Sequence, residues 1–349
     1  MSSTIWFLSF PLATLSDSSD KPAKAPLVES VPSKAPVEIM SSPTAAVEED
    51  RFAAIRIPFY LALNASSSIG IVFANKVVFQ FCKFKYGTLL TFIHFAFIFV
   101  GLEVCRQMGV FERKQNIAFK SVLPLCLSFC GFVALTNLSL VYNSVGFYQL
   151  MKVLTTPLIV VIQTLFYGET FSVKIKLSLA LTCVGVAIAT VTDSEANMIG
   201  TLVALSALLV TSMYQIWVGT KQKELECTSY QLLYIQAPIS AILLIPIIPL
   251  LDDISTLQDF QWEQSTVLAI LLSSCLAFLV NLSIFLVIGK TSPVTYNVLG
   301  HFKLTVILSM GFLFFGAVVD YKNITGILVT LSGVFWYTHL KQQPKKDSN

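Results

Sequence analysis

The chain has 349 residues, 55% of them hydrophobic and only 12% charged, with a mean hydropathy of +0.73 and a formal net charge of +3. A soluble globular domain of this length carries about 25% charged residues, so a water-soluble fold is excluded. The connections between its apolar runs are too short to hold a separate extramembrane domain.

The first fifty residues differ from the rest. They contain ten Ser, six Pro, seven acidic residues and three Lys, for a net charge of −4. Such a stretch cannot bury enough apolar surface to offset its ordering entropy, and residues 1–51 are expected to form a disordered cytosolic tail. The apolar run Ile5–Leu15 lacks the basic flank and small-residue cleavage site of a signal peptide. A plastid transit peptide is Arg-rich and poor in acids, whereas the first fifty residues hold no Arg and seven acids.

Residues 52–342 are expected to form one membrane domain, followed by a short cytosolic tail, 343–349. Runs near 20 apolar residues predict ten spans: 55–78, 87–108, 120–142, 145–167, 173–192, 197–219, 229–250, 266–288, 293–315 and 322–341. The first carries Asn64, Ser66, Ser67 and Ser68 near its middle, with Asn75 and Lys76 near its far end. Serine clusters let helices approach closely; Ser67 and Asn75 are the candidates there for touching a ligand. In the second span, His94 suits an interhelical hydrogen bond. Thr136 and Asn137 in the third span and Asn281 in the eighth could bond a sugar, a base or a neighbouring helix.

The fourth span presents Tyr148, Lys152, Thr156 and Gln163 along one helical face, with Thr155 beside them. The ninth presents Tyr296, Gly300 and Lys303, with Asn297 and His301 on the adjoining strip. A lysine at the centre of a spanning helix costs roughly 2.5–3.5 kcal/mol on insertion scales. No carboxylate lies deep in any span to pair with either lysine, since Glu103 and Glu169 sit near span ends. At 1.5 Å per residue, Lys152 and Lys303 lie roughly 10 and 15 Å inside their spans. Entering from opposite sides, they could converge on a central site that takes its negative charge from the substrate. The alternative, snorkelling to an interface, suits Lys152 better than Lys303.

Positive charge is unevenly placed. With a cytosolic N-terminus, the cytosolic loops hold Arg106, Arg113, Lys114, Lys120, Lys174, Lys176, Lys221, Lys223 and Lys290, and the opposite loops only Lys83, Lys85 and Lys322. The positive-inside rule therefore puts both termini in the cytosol. The chain also repeats itself. A shift of 148 residues lays Tyr148 on Tyr296, Gly168 on Gly316, Thr182 on Thr330 and Gly185 on Gly333. With a four-residue change of offset, Asn137–Ser139 matches Asn281–Ser283. The copies are five spans apart, and an odd number reverses orientation. The expected fold is all-α, two five-helix halves of inverted topology with the substrate site between them near the midplane.

Several chemistries are missing. No Walker-type Gly-rich loop, HExxH or GxSxG is present, which argues against an ATP-driven pump or a hydrolase. The seven cysteines form no CxxC pair, so neither a metal site, a disulfide framework nor a cofactor is expected. The intramembrane carboxylate relay common in proton-coupled carriers is absent too. The mechanism that fits is exchange, one anion neutralising the lysines inward and another outward.

Three stretches carry a family resemblance: Asn143–Lys152 (NSVGFYQLMK), Leu232–Pro238 (LLYIQAP) and Gly289–Lys303 (GKTSPVTYNVLGHFK). Together they resemble the triose-phosphate translocator and nucleotide-sugar transporter families, more narrowly the E subgroup of solute carrier family 35. The resemblance covers residues 52–341. It implies the ten-helix drug/metabolite-transporter fold and a Golgi or endoplasmic-reticulum antiporter. A nucleotide sugar, uridine-linked, would be exchanged for a nucleoside monophosphate; the alternative is an organellar carrier of phosphorylated sugars or organic anions. Nucleic acid is not an implied partner, and monomer or homodimer is left open. In the plastid phosphate translocators a lysine matching Lys152, a threonine matching Thr136 and a Lys-Arg pair surround phosphate. Here Lys303 is followed by Leu304, which removes a bidentate phosphate fork and counts against three-carbon phosphates. Tyr234 and Gln236 stand where the GDP-mannose type has its Phe-Tyr-Asn-Asn motif, and are the candidates for contacting a base.

Overall fold

The computed structural model describes residues 43–115, 117–143, 151–190, 198–315 and 321–342, and all regular structure among them is helical. The described helices of twelve residues or more are α1 (Pro43–Lys76), α2 (Gly87–Gln107), α3 (Phe119–Tyr142), α4 (Thr155–Phe166) and α5 (Val173–Thr190), then α6 (Met198–Glu224), α7 (Ser229–Leu244), α8 (Gln264–Lys290), α9 (Pro293–Phe315) and α10 (Tyr321–Gln342). Each coincides with one of the ten expected segments. Five helical segments among the described residues are long and apolar enough to cross a membrane: Ile55–Phe81, Gly87–Gln107, Phe119–Ser139, Met198–Glu224 and Gln264–Lys290. By contacts the chain divides into a unit Met1–Val47, described only from Pro43, and a unit Glu48–Asn349 that holds α1 from Glu48 onward and all the other helices.

The local chemistry explains most boundaries. Helix α1 begins at Pro43, ahead of the tail boundary expected at residue 51. Proline suits a first helical position, and the following Ala45, Ala46, Glu48 and Glu49 include strong helix formers. Its far end loosens into a π-helical turn, Val77–Phe81. The start of α2 is capped from a distance: the backbone N–H groups of Thr88 and Leu89 donate to the Asp252 carboxylate at 3.2 and 2.7 Å, which also faces the positive end of the helix dipole. A capping box between Thr228 and Gln231 opens α7. The helix carrying Lys152 is less regular than its sequence period suggests. It is helical from Met151, breaks at Leu154 and resumes as α4.

Two larger apolar cores hold the bundle, and a smaller cluster of Val78, Phe84, Tyr86, Leu90 and Ile270 packs the far end of α1 against α2 and α8. Of the larger two, one joins α2, α3, α6, α7 and α8 through residues such as Phe95, Leu125, Tyr214, Leu233 and Phe285; the other joins α4, α5, α6, α9 and α10 through Ile159, Leu179, Ile216, Val298 and Tyr337. Large apolar side chains such as Val100, Leu127, Leu202, Leu268 and Phe335 point outward, as lipid-facing positions should. His94 bonds Ser273 at 3.0 Å across α2 and α8, the interhelical role its position suggested.

Helices α5 and α10 cross with their backbones close together. A Cβ on Gly185 would meet the backbone N and hydroxyl of Thr330 and lie 2.9 Å from the Gly326 carbonyl; a Cβ on Gly333 would meet the same atoms of Thr182 and lie 3.0 Å from the Ser178 carbonyl. Each contact is the other displaced by 148 residues, and numbering rises on one helix as it falls on the other. The crossing is antiparallel and reads the same from either side. Small residues that let backbones touch are the usual means of tight association in membranes.

Candidate functional site

A cavity of about 370 Å³ is lined by Ser68 and Val72 of α1, Lys152 and Val153 ahead of α4, Gln215 of α6, and Tyr296, Asn297, Gly300, His301, Lys303 and Leu304 of α9. The α9 residues recur at helical spacing, so one face of that helix forms the longest wall. Gly300 stands in open space there: a Cβ would meet nothing within 4 Å. Two lysines and a histidine line the cavity, and no carboxylate does so among the described residues.

Lys303 is only 8% exposed. Its Nζ donates to Asn64 Oδ1 at 2.7 Å and to Ser68 Oγ at 3.1 Å, and lies 5.2 Å from the centre of the Tyr296 ring. All three partners are uncharged, so among the described residues the ammonium is solvated by dipoles and a π face with no carboxylate against it. Asn64 is itself fully buried and donates to Ser283 Oγ at 2.9 Å. That chain of bonds ties α1 to α8 and α9. Beside it, Thr156 Oγ and His301 Nε2 lie 2.8 Å apart, joining α4 to α9. Asn297 donates from Nδ2 to the Pro293 carbonyl at 2.9 Å and to Gln215 Oε1.

Lys152 is exposed and also lines a second, much smaller cavity of about 40 Å³ with Thr136, Ser139, Thr155 and Thr211. A space of that size holds about one or two waters. Lys152 therefore stands where the two cavities meet.

Of the residues singled out in the sequence, Lys152, Tyr296, Gly300 and Lys303 line the main cavity, and Thr136 lines the small one. Thr156 is fully buried behind the main cavity wall and reaches it through His301. Tyr148 lies outside the described residues. Tyr234 and Gln236 stand apart from these lysines: the Tyr234 hydroxyl donates to Glu103 at 2.8 Å, beside the Glu103–Arg106 ion pair, and Gln236 is fully buried, donating to Tyr214 OH at 3.4 Å. Asn281 donates to the Ala277 carbonyl of its own helix at 2.9 Å. It and Asn137 are half-buried and line neither cavity. Ser67 likewise bonds its own helix, at the Leu63 carbonyl. Sequence reasoning passed over Asn64, Ser68 and Gln215. The first two share one face of α1 at four-residue spacing, but nothing local shows what that face meets.

A family model described as the Triose-phosphate Transporter family matches residues 55–338. Curated relatives from Arabidopsis thaliana include UDP-xylose transporter 2, 41% identical over 282 residues and covering 80% of each chain, and UDP-xylose transporter 3, 40% identical over 80% of this chain and 79% of that one. UDP-rhamnose/UDP-galactose transporter 2 is 34% identical over 81% of this chain and 84% of its own. A protein of known crystal structure superposes with a TM-score of 0.64 at 14% identity, covering 83% of this chain and 99% of that chain; that likeness speaks for the fold alone.

Proposed function

This chain belongs to the Triose-phosphate Transporter family, and from that premise we propose that it is a secondary antiporter exchanging a nucleotide sugar, uridine-linked, for a nucleoside monophosphate. Family membership makes it a transporter and not an enzyme. The relatives named for UDP-xylose and for UDP-rhamnose and UDP-galactose support a nucleotide sugar as the cargo. The observation that carries the reading is that Lys152 and Lys303 line one cavity to which the described residues contribute no carboxylate.

A nucleotide sugar brings a diphosphate whose two negative charges match the two lysines. A monophosphate returning the other way carries about −1.5 to −2, a comparable charge. As the anion enters, the Lys303 ammonium exchanges its hydrogen bonds to Asn64 and Ser68 for charge-assisted bonds to phosphate oxygens, which are shorter and stronger. Once empty, the site again holds the buried Lys303 ammonium inside an apolar bundle, an arrangement reluctant to reorient. Exchange follows from that asymmetry without a coupling ion. The ten helices act as two inverted five-helix halves, and the local two-fold relation at the Gly185–Thr330 and Gly333–Thr182 contacts supports that topology. Alternating access then comes from rocking one half against the other. Both termini face the cytosol, and the membrane is that of the Golgi or endoplasmic reticulum. Leu304, lining the cavity where plastid phosphate translocators are similar but carry an arginine, weighs against phosphorylated three-carbon substrates.

Purified protein in proteoliposomes preloaded with uridine monophosphate should take up radiolabelled UDP-xylose or UDP-galactose far faster than empty vesicles do. Equal uptake without internal nucleotide would refute antiport. Uptake of triose phosphate in exchange for phosphate, with none of UDP-sugars, would replace this reading with that of a sugar-phosphate carrier.

A further inference from the structure

We infer that Gln215 and Asn297 form the base-reading subsite of this cavity, holding the N–H and an adjacent carbonyl of uracil. The inference rests on the nucleotide-sugar reading above and adds which residues read the nucleoside. Asn297 Nδ2 donates to the Pro293 carbonyl at 2.9 Å and to Gln215 Oε1. Those two bonds use both protons of the Asn297 amide. Because the Pro293 carbonyl accepts only from nitrogen, the orientation of the Asn297 amide is set by its own helix. The Gln215 orientation follows, since its oxygen must face the Asn297 nitrogen.

What remains is a fixed pair of unlike groups. Asn297 Oδ1 is an acceptor and Gln215 Nε2 a donor, and neither has a hydrogen-bond partner among the described residues. Neither atom is sealed in the interior, and both residues line the cavity. Gln215 is otherwise 8% exposed. Both atoms are reachable from the cavity, so water completes them in the empty site and a complementary polar edge of a ligand can take its place. Uracil presents an N–H flanked by two carbonyls, so it satisfies this donor and acceptor in either of two orientations. Cytosine offers the required pair in only one. Asn297 lies six residues before Lys303 on the same helix, a rise of about 9 Å, which leaves room for a ribose between base and phosphate.

The test is inhibition of exchange in proteoliposomes by uridine monophosphate, cytidine monophosphate and ribose 5-phosphate, in wild type and in Gln215→Met and Asn297→Ala. Gln215→Met keeps the volume and removes the donor. In wild type, uridine monophosphate should inhibit best. In each variant its inhibition constant should rise about tenfold or more, while that of ribose 5-phosphate, which has no base, stays within about twofold and so reports an intact fold. An unchanged ratio of uridine monophosphate to ribose 5-phosphate in both variants overturns the subsite while leaving the antiporter standing. Loss of both inhibitors in parallel also overturns it, as the mark of a structural role. A wild type that exchanges phosphate esters but no nucleotide overturns the subsite and the proposed function together.

Discussion

Replacing Lys303 by methionine separates what this residue contributes to binding from what it costs the fold. A central lysine costs roughly 2.5–3.5 kcal/mol to insert. Its hydrogen bonds to Asn64 and Ser68 each return about 0.6 kcal/mol, up to about 1.7, and the Tyr296 face adds about 0.5–2 kcal/mol. These terms nearly cancel. Lys303→Met removes all of them and leaves Asn64 Oδ1 without its donor, a cost of about 1–3 kcal/mol for a buried acceptor. Stability should therefore fall by about 1–3 kcal/mol, seen as a melting-temperature shift of a few degrees in detergent. Binding should respond differently. A hydrogen bond to a charged group contributes about 1.5–3 kcal/mol, so the inhibition constant of uridine monophosphate should rise about 10- to 150-fold. Exchange measured in proteoliposomes checks the second figure and thermal unfolding the first. An unchanged inhibition constant, or a lost one accompanied by collapse of the fold, would refute the assignment of Lys303 as an anion ligand.

Other substitutions test neighbouring parts of the argument. Asn64→Leu breaks the bonds to both Lys303 and Ser283 and should destabilise the protein by about 1–3 kcal/mol, visible as a lower melting temperature along with weakened exchange. Gly185→Ala and Gly333→Ala each press a methyl group onto opposite helix backbone; thermal unfolding should show about 1–3 kcal/mol lost for each, with the two effects similar because the contacts are equivalent. Tyr234→Phe removes a hydrogen bond to Glu103 outside the lining of the lysine cavity, and its apparent KM for a UDP-sugar should stay within about twofold of wild type. A larger KM effect would return Tyr234 to the binding site.

The sequence disclosed the residues whose cost is local. An intramembrane lysine is expensive wherever its neighbours are, so Lys152 and Lys303 stood out at once. The glycine and threonine pairs at 182, 185, 330 and 333 were legible through the repeat. Partners were harder to foresee. Lys303 and Asn64 are 239 residues apart, and no local pattern announces which of several polar residues in α1 will face it. Gln215 went unnoticed because a lone carboxamide in an apolar helix carries little weight beside charged residues. Tyr234 and Gln236 were suggested by position in a motif, yet the ion pair of Glu103 and Arg106 at the end of α2 claims the tyrosine. The break at Leu154 was invisible because the apolar period runs through it without interruption.

The crossing of α5 and α10 has a mechanical consequence. Where two helices meet through glycine, with a threonine of each seated against the other, the pair can swivel about the contact. Sliding along it would drive Thr182 and Thr330 into backbone. In the alternating access proposed above, a rocking motion that leaves this point in place is the one the packing permits, with the crossing as its fulcrum and helices away from it, such as α1, as the moving parts.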